Sequence, residues 1–216
     1  MDGQPIIECQ KLTKTYGRQV VVNRLDLTIN EGEIFGFLGP NGAGKTTTLL
    51  MLLGLSEPTS GSAKVCGFNP TREPLKVKRL VGYLPENVGF YDDMNAVQNL
   101  QYVSRLNGLP DSQSLAKIDE LLGIVELKDE REKKVGDFSR GMRQRLGIAE
   151  VLIKEPRVVF LDEPTLGLDP DGSIRMLDLI CSLSRDKNIS VFFCSHLLDQ
   201  VQKISHRGGI MLKGSL

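Results

Sequence analysis

Gly39-Pro-Asn-Gly-Ala-Gly-Lys-Thr-Thr47 is the stretch on which the reading of this chain turns. It fits G-x-x-x-x-G-K-[ST], with Gly39, Gly44, Lys45 and Thr46 at the fixed places. Glycines let the backbone curl so that successive N–H groups point at one phosphate chain. Pro40, Asn41, Gly42, Ala43 and Thr47 complete the stretch expected to bind the nucleotide, and a helix begins at Thr46. That helix presents free N–H groups and its positive dipole end to the same anion. Lys45 can reach the β- and γ-phosphates, and the Thr46 hydroxyl can ligate Mg²⁺. The flanks agree with this reading. Glu33-Ile-Phe-Gly-Phe-Leu38 is a short apolar run suited to a buried strand, and 46–55 carries a helical apolar stripe of leucines and Met51.

Composition sets the outer bounds. The 216 residues suffice for one large domain, or a core with an inserted subdomain. Lys plus Arg equals Asp plus Glu at 27 each, so no basic excess argues for a nucleic-acid partner. Cys9, Cys66, Cys181 and Cys194 form no C-x-x-C, and the chain has 2 histidines, which speaks against a zinc site. The cysteines read as small hydrophobes in a reducing compartment. The polar start, Met1-Asp2-Gly3-Gln4-Pro5, is expected to carry no secretory signal. No apolar run approaches the about 18 residues that a membrane span needs. A soluble protein is expected, with any membrane role reached through a partner.

Along the chain, 6–15 and 20–29 alternate as strands around a turn at Tyr16-Gly17-Arg18. Tyr16 at that hairpin is either an ordinary strand-end aromatic or a ring able to stack on a base. The pattern predicts short strands at 63–67 and 79–84. It predicts helices at 95–106 and 112–127, broken by Leu109-Pro110-Asp111. The charge run 129–134 reads as a solvated segment. A helix after Phe138 is stopped at Pro156. The apolar run Arg157-Val-Val-Phe-Leu-Asp-Glu163 reads as a central parallel strand closed by two acids. A helix at 172–185, a strand at 189–194, a helix at 197–204 and a last strand at 209–212 follow. Strands alternating with helices predict an α/β fold with a mainly parallel sheet. Residues 87–138 read as a helical insertion.

Strand C-termini line the ligand crevice of such sheets. Asp162 there can hold Mg²⁺ beside Thr46. Glu163 is expected to face another way because strand residues alternate, and can polarise a water for attack on the γ-phosphate. His196, just past the next apolar strand, can stand beside the same site.

Taken together, GPNGAGKTT, FSRGMRQR, VVFLDEP, LGLD and CSH, in that order, resemble the nucleotide-binding domains of ABC transporters. The resemblance runs from about residue 6 to the end. It implies a P-loop NTPase (RecA-like) core with an antiparallel β subdomain, formed by 1–86 and 139–216, and a helical subdomain at 87–138. It implies ATP and Mg²⁺ as cofactors. It makes Tyr16 the ring that stacks on adenine, and Glu86 the counterpart of a glutamine that contacts Mg²⁺ and the attacking water. Ser139, Arg140 and Gly141 fall in the signature motif, which binds the γ-phosphate of ATP held by a second protomer. Asp162 becomes the Mg²⁺-side acid, Glu163 the catalytic base, Asp169 part of the loop that communicates across the dimer, and His196 the γ-phosphate switch. The implied partners are a membrane permease and a second ATPase protomer in a head-to-tail homodimer, with no nucleic acid. The implied place is the cytoplasmic face of the cell membrane, as a peripheral subunit.

Two positions depart from the family pattern. Glu86 stands where glutamine is usual, adding negative charge near the triphosphate, and Arg140 with Met142 replaces the commonest glycine and glutamine. Both departures, with the run Val81-Gly-Tyr-Leu-Pro-Glu-Asn-Val-Gly-Phe-Tyr91, resemble the ATPases of ABC-2 type exporters. Within that set the run is most similar to the ATPase of the NosDFY system, which serves assembly of the copper centres of nitrous oxide reductase. Asn87, Val88, Phe90 and Tyr91 are expected to border the groove that takes a permease helix. The segment 209–214 looks like the first strand and turn of a hairpin that relatives often continue. The competing class is a soluble ABC ATPase acting on nucleic acid or ribosomes. A single phosphate loop, a compact insertion and the balanced charge count against it.

Overall fold

The computed structural model of the chain describes residues 4–216. Met1, Asp2 and Gly3, at the start of the polar segment named above, lie outside the described residues. The described chain divides into two compact units. The first holds residues up to Tyr83 with Pro156–Glu163 and Cys181–Leu216; the second holds Leu84–Glu155 and Pro164–Ile180.

In the first unit, β1 (Pro5–Tyr16) and β2 (Gln19–Asn30) form a long antiparallel hairpin. Alternation puts Leu25, Leu27 and Ile29 inside and Asp26 and Thr28 outside. Lys11 at φ 48 and Arg24 at φ 47 sit where the register shifts, and the Asp26 carboxylate accepts the Lys11 N–H at 2.8 Å. Next come β3 (Ile34–Leu38), α1 (Lys45–Leu52) and β4 (Ser60–Val65), which adds to β1 and gives the sheet β2-β1-β4.

The segment 74–84 differs from expectation. A single strand at 79–84 is replaced by α2 (Pro74–Leu80) and a shorter β5 (Val81–Leu84). Pro74 suits a first helical turn, Lys78 and Arg79 suit a last one, and only Val77 of the seven residues is buried. Little apolar periodicity marks so short a helix.

β5 belongs to a five-stranded sheet ordered β5-β6-β7-β3-β8, in which β6–β7, β7–β3 and β3–β8 are parallel. Its β6 is Val158–Asp162, its β7 is Ser190–Ser195 and its β8 is Arg207–Ile210. Every residue of β6 and β7 is buried, as strands covered on both faces must be. Phe35, Phe37, Phe160 and Phe192 meet there at ring-centroid distances of 5.1 to 6.4 Å. Each such ring contributes about 1.5–3 kcal/mol by leaving water. α7 (Leu198–Ile204) links β7 to β8. After β8, Leu212 and Ser215 close a tight antiparallel turn.

In the second unit, α3 (Ala96–Leu106) opens on a reciprocal cap between Asn95 and Gln98. α4 (Asp111–Ile124) stops short of the expected Leu127 because Glu126 turns left-handed at φ 55. Arg145 of α5 (Arg140–Leu152) donates to the carbonyls of Val125 and Glu126, closing that helix end. The charge run 129–134 is partly engaged: Arg131 pairs with Asp119, and Glu132 takes a bond from Asn95. Leu100, Ile118, Leu121, Leu122, Leu146 and Ile148 make the unit's core. α6 (Pro170–Lys187) follows the loop 164–169. No helix among the described residues is long and apolar enough to cross a membrane.

Candidate functional site

The phosphate loop runs from the end of β3 into α1. Gly42 at φ 78 and Gly44 at φ 108 take the left-handed turns that the curl requires. Gly44 caps α1 without a side-chain bond, and no acid sits in the first turn, so the helix start is kept for an outside anion. The loop is braced from behind. The Gly39 N–H donates to the Ser195 carbonyl at 3.2 Å, and the Gly214 N–H donates to the Ala43 carbonyl at 3.0 Å. A Cβ on Gly39 would lie 2.4 Å from the Met211 carbonyl oxygen, and one on Gly44 2.5 Å from that of Val21. Met211 and Gly214 were not legible as site residues, since they lie far along the chain and belong to no motif.

Four contacts gather the predicted chemistry in this unit. The Thr46 hydroxyl donates to an Asp162 carboxylate oxygen at 2.9 Å. Lys45, 5% exposed, donates to the Gly39 carbonyl at 2.6 Å, and its ammonium lies 3.3 Å from Glu163 Oε1. That second approach is an ion pair without hydrogen-bond alignment, since Oε1 has no hydrogen-bond partner. Oε2 of the same carboxylate meets His196 Nδ1 at 2.8 Å.

The reason that Glu163 points where it does differs from the expected strand alternation. β6 ends at Asp162, and Glu163 takes φ 51 while its N–H donates to the Cys194 carbonyl. A left-handed residue turns the carboxylate between Lys45 and His196. Such a conformation is uncommon outside glycine and is tolerated where the surroundings hold it. Beside the loop lies a cavity of about 450 Å³ bordered by Pro40, Asn41, His196 and Ile210. Tyr16 stands half exposed at the end of the hairpin, with the Lys14 ammonium 4.9 Å from its ring centre.

The remaining predicted residues fall in the second unit. Ser139 caps α5, its hydroxyl accepting the Met142 N–H at 3.3 Å. A Cβ on Gly141 would meet Leu168 at 3.8 Å and Ser139 Oγ at 4.0 Å, both ordinary contacts. The Arg140 guanidinium lies over Gly167, where an added Cβ would come within 3.1 Å of it. Asp169 folds back toward Gly172 at the start of α6, and its carbonyl accepts the Ser173 N–H. Glu86 is exposed, and its carbonyl accepts a bond from Gln144 at 2.9 Å. Of the groove residues, Val88 packs at Gly147, while Tyr91 is exposed and edge-on to Tyr102.

A strand, a phosphate loop and a helix, with two acids at the end of a parallel strand, define a P-loop nucleoside triphosphatase. The comparisons refine that class. The family model described as ABC transporter matches residues 22–166. The bacitracin transport ATP-binding protein BcrA of Bacillus licheniformis is 44% identical over 211 residues, covering 98% of this chain and 68% of that protein. Among solved structures, cbiO1 from Clostridium perfringens, part of the ABC transporter complex cbiONQ, aligns with a TM-score of 0.91 at 24% identity, over 98% of this chain and 86% of that one. A dimeric post-hydrolysis state of the ATP-binding cassette MJ0796, bound to ADP and Pi, aligns at 0.87 and 22%, over 97% and 96%. The latter two speak to the fold. The chain belongs to the ABC transporter family. It is an ATP-binding subunit of an ABC transporter, an ATPase whose hydrolysis is coupled to transport.

Proposed function

We propose that this subunit hydrolyses ATP in a head-to-tail homodimer with two composite sites, and drives a separate ABC-2 type permease from the cytoplasmic face of the membrane. The observation that carries the reading is the Glu163 carboxylate held between Lys45 and His196 beside the Thr46–Asp162 pair. Phosphate oxygens would compete for the Lys45 donors that now go to the Gly39 carbonyl. Glu163 then takes the proton of a water that attacks the γ-phosphorus in line, and ADP leaves. His196 orients that carboxylate and donates toward the γ-phosphate. Ser139 and Gly141 of the second protomer close over the same phosphate from the start of α5.

Thr46 and Asp162 fit Mg²⁺. Both offer oxygen, they are already 2.9 Å apart, and such ions use one or two protein carboxylates with substrate phosphates. Glu86 is a third oxygen donor in the proposal. The ion would neutralise charge developing on the phosphates. No cluster of three metal-ligating side chains occurs among the described residues, in keeping with a site completed by substrate.

Tyr16 offers an exposed ring to adenine. The domain boundaries of the reading are 1–86 with 139–216, and 87–138. For cargo, the similarity to the bacitracin transport ATP-binding protein favours transport of a bacitracin-like compound. The narrower reading, nitrous oxide reductase copper-centre assembly, rests on the 81–91 run alone. Changing Phe90 and Tyr91 to serine should leave basal ATPase intact and remove stimulation by the permease in proteoliposomes. Retained stimulation would remove that docking groove. The dimer is tested by sizing Glu163→Gln in MgATP, where a monomer at saturating ATP would defeat the composite sites.

A further inference from the structure

We propose that Gln144 is a positioning residue for Glu86, resting on the role proposed for Glu86 above. Gln144 lies one turn into α5, past the signature end, and is 2% exposed. Its Nε2 donates to the Glu86 carbonyl at 2.9 Å, while its buried Oε1 has no hydrogen-bond partner. A buried amide with an orphaned oxygen is a poor device for stability, because that oxygen left water without compensation. An apolar side chain of the same length would suit the helix better. What the amide does provide is a fixed point for the Glu86 backbone.

A second contact works with it. Gly147, one turn further on, leaves a notch in α5. A Cβ there would lie 2.5 Å from Leu84 and 3.2 Å from Val88. Leu84 and Val88 therefore peg the segment to the helix on either side of Glu86, whose side chain is left exposed. The notch and the amide together set how far the Glu86 carboxylate stands from α5. They also tie it to the helix whose first turn holds Ser139 and Gly141.

The test is steady-state ATPase of the whole chain, with kcat and KM measured separately and Mg²⁺ titrated. Gln144→Met should lower kcat by about tenfold, the range for partners that orient a working group. KM for ATP should stay unchanged. The thermal midpoint should not fall, because methionine fills the volume and removes the orphaned oxygen. Gly147→Ala, a favourable helix substitution, should reproduce the kcat loss by displacing Leu84. Adding Gln144→Met to Glu86→Ala should cost nothing further. Losses that multiply in the double variant, a kcat that falls only as the midpoint falls, or normal kcat in both Gln144→Met and Gly147→Ala would overturn the positioning role while leaving Glu86 in place. An unchanged kcat in Glu86→Ala alone would remove the Glu86 reading, and Gln144 with it.

Discussion

On the proposed function the starts of α1 and α5 both receive phosphate, yet they are prepared differently. At α1 the loop is braced by Ser195, Met211 and Gly214, and Lys45 is buried. At α5, Ser139 and Arg140 are exposed and Gly141 is half-buried, and the Ser139 hydroxyl serves its own helix as a cap. One end is braced from behind by distant segments; the other is capped by its own serine. On the proposed function, affinity for the nucleotide resides in the first, and control of its hydrolysis in the second.

That division can be broken or sharpened by substitution. Glu163→Gln should lower kcat by about 10²–10⁴-fold, the usual worth of a general base. Binding of a fluorescent ATP analogue should persist, since the cradle is untouched. Gly39→Ala drives a Cβ against the Met211 carbonyl, backbone on backbone, and should cost about 1–3 kcal/mol of stability together with nucleotide affinity. Calorimetry and the same titration would read both losses. Ser139→Ala should cost about 1 kcal/mol for the lost cap and reduce turnover without altering analogue binding.

Gly141→Ala is the sharpest contrast with Gly39→Ala. Its Cβ meets Leu168 at 3.8 Å and Ser139 Oγ at 4.0 Å without crowding, and alanine gains about 0.5–1 kcal/mol over glycine within a helix. The melting temperature should hold or rise while ATPase falls. If analogue binding fell instead, the two helix starts would share one job.

Alkali separates the units in another way, because all four cysteines belong to the first. Burial pushes the Cys9 thiol up to about 12 and the Cys66 thiol up to about 11. A buried neutral thiol adds stability below its unfolded value near 9.0, and that stability is lost as pH rises toward the folded value. Thermal midpoints should therefore drop between pH 9 and 12, and Cys9→Ala should flatten that drop.

The phosphate loop and its acids were legible because fixed spacing reflects fixed chemistry. Central strands such as 157–162 were legible because burial on both faces demands an unbroken apolar run. α2 was hidden by its length. The direction of Glu163 was hidden because a left-handed glutamate has no marker in composition. Gln144 looked like one polar residue among several on a helix, and only burial singles it out. The braces from Met211 and Gly214 were beyond reach for a simpler reason, since contacts between distant segments leave no local pattern.

Those braces also bear on how the protein is made. The cradle motif emerges from the ribosome well before Ser195, Met211 and Gly214, the residues that hold its shape. A chain still in synthesis carries the motif without its support, and contacts between such distant segments form late and slowly. Competence to hold nucleotide therefore has to wait for segments translated long after the motif itself.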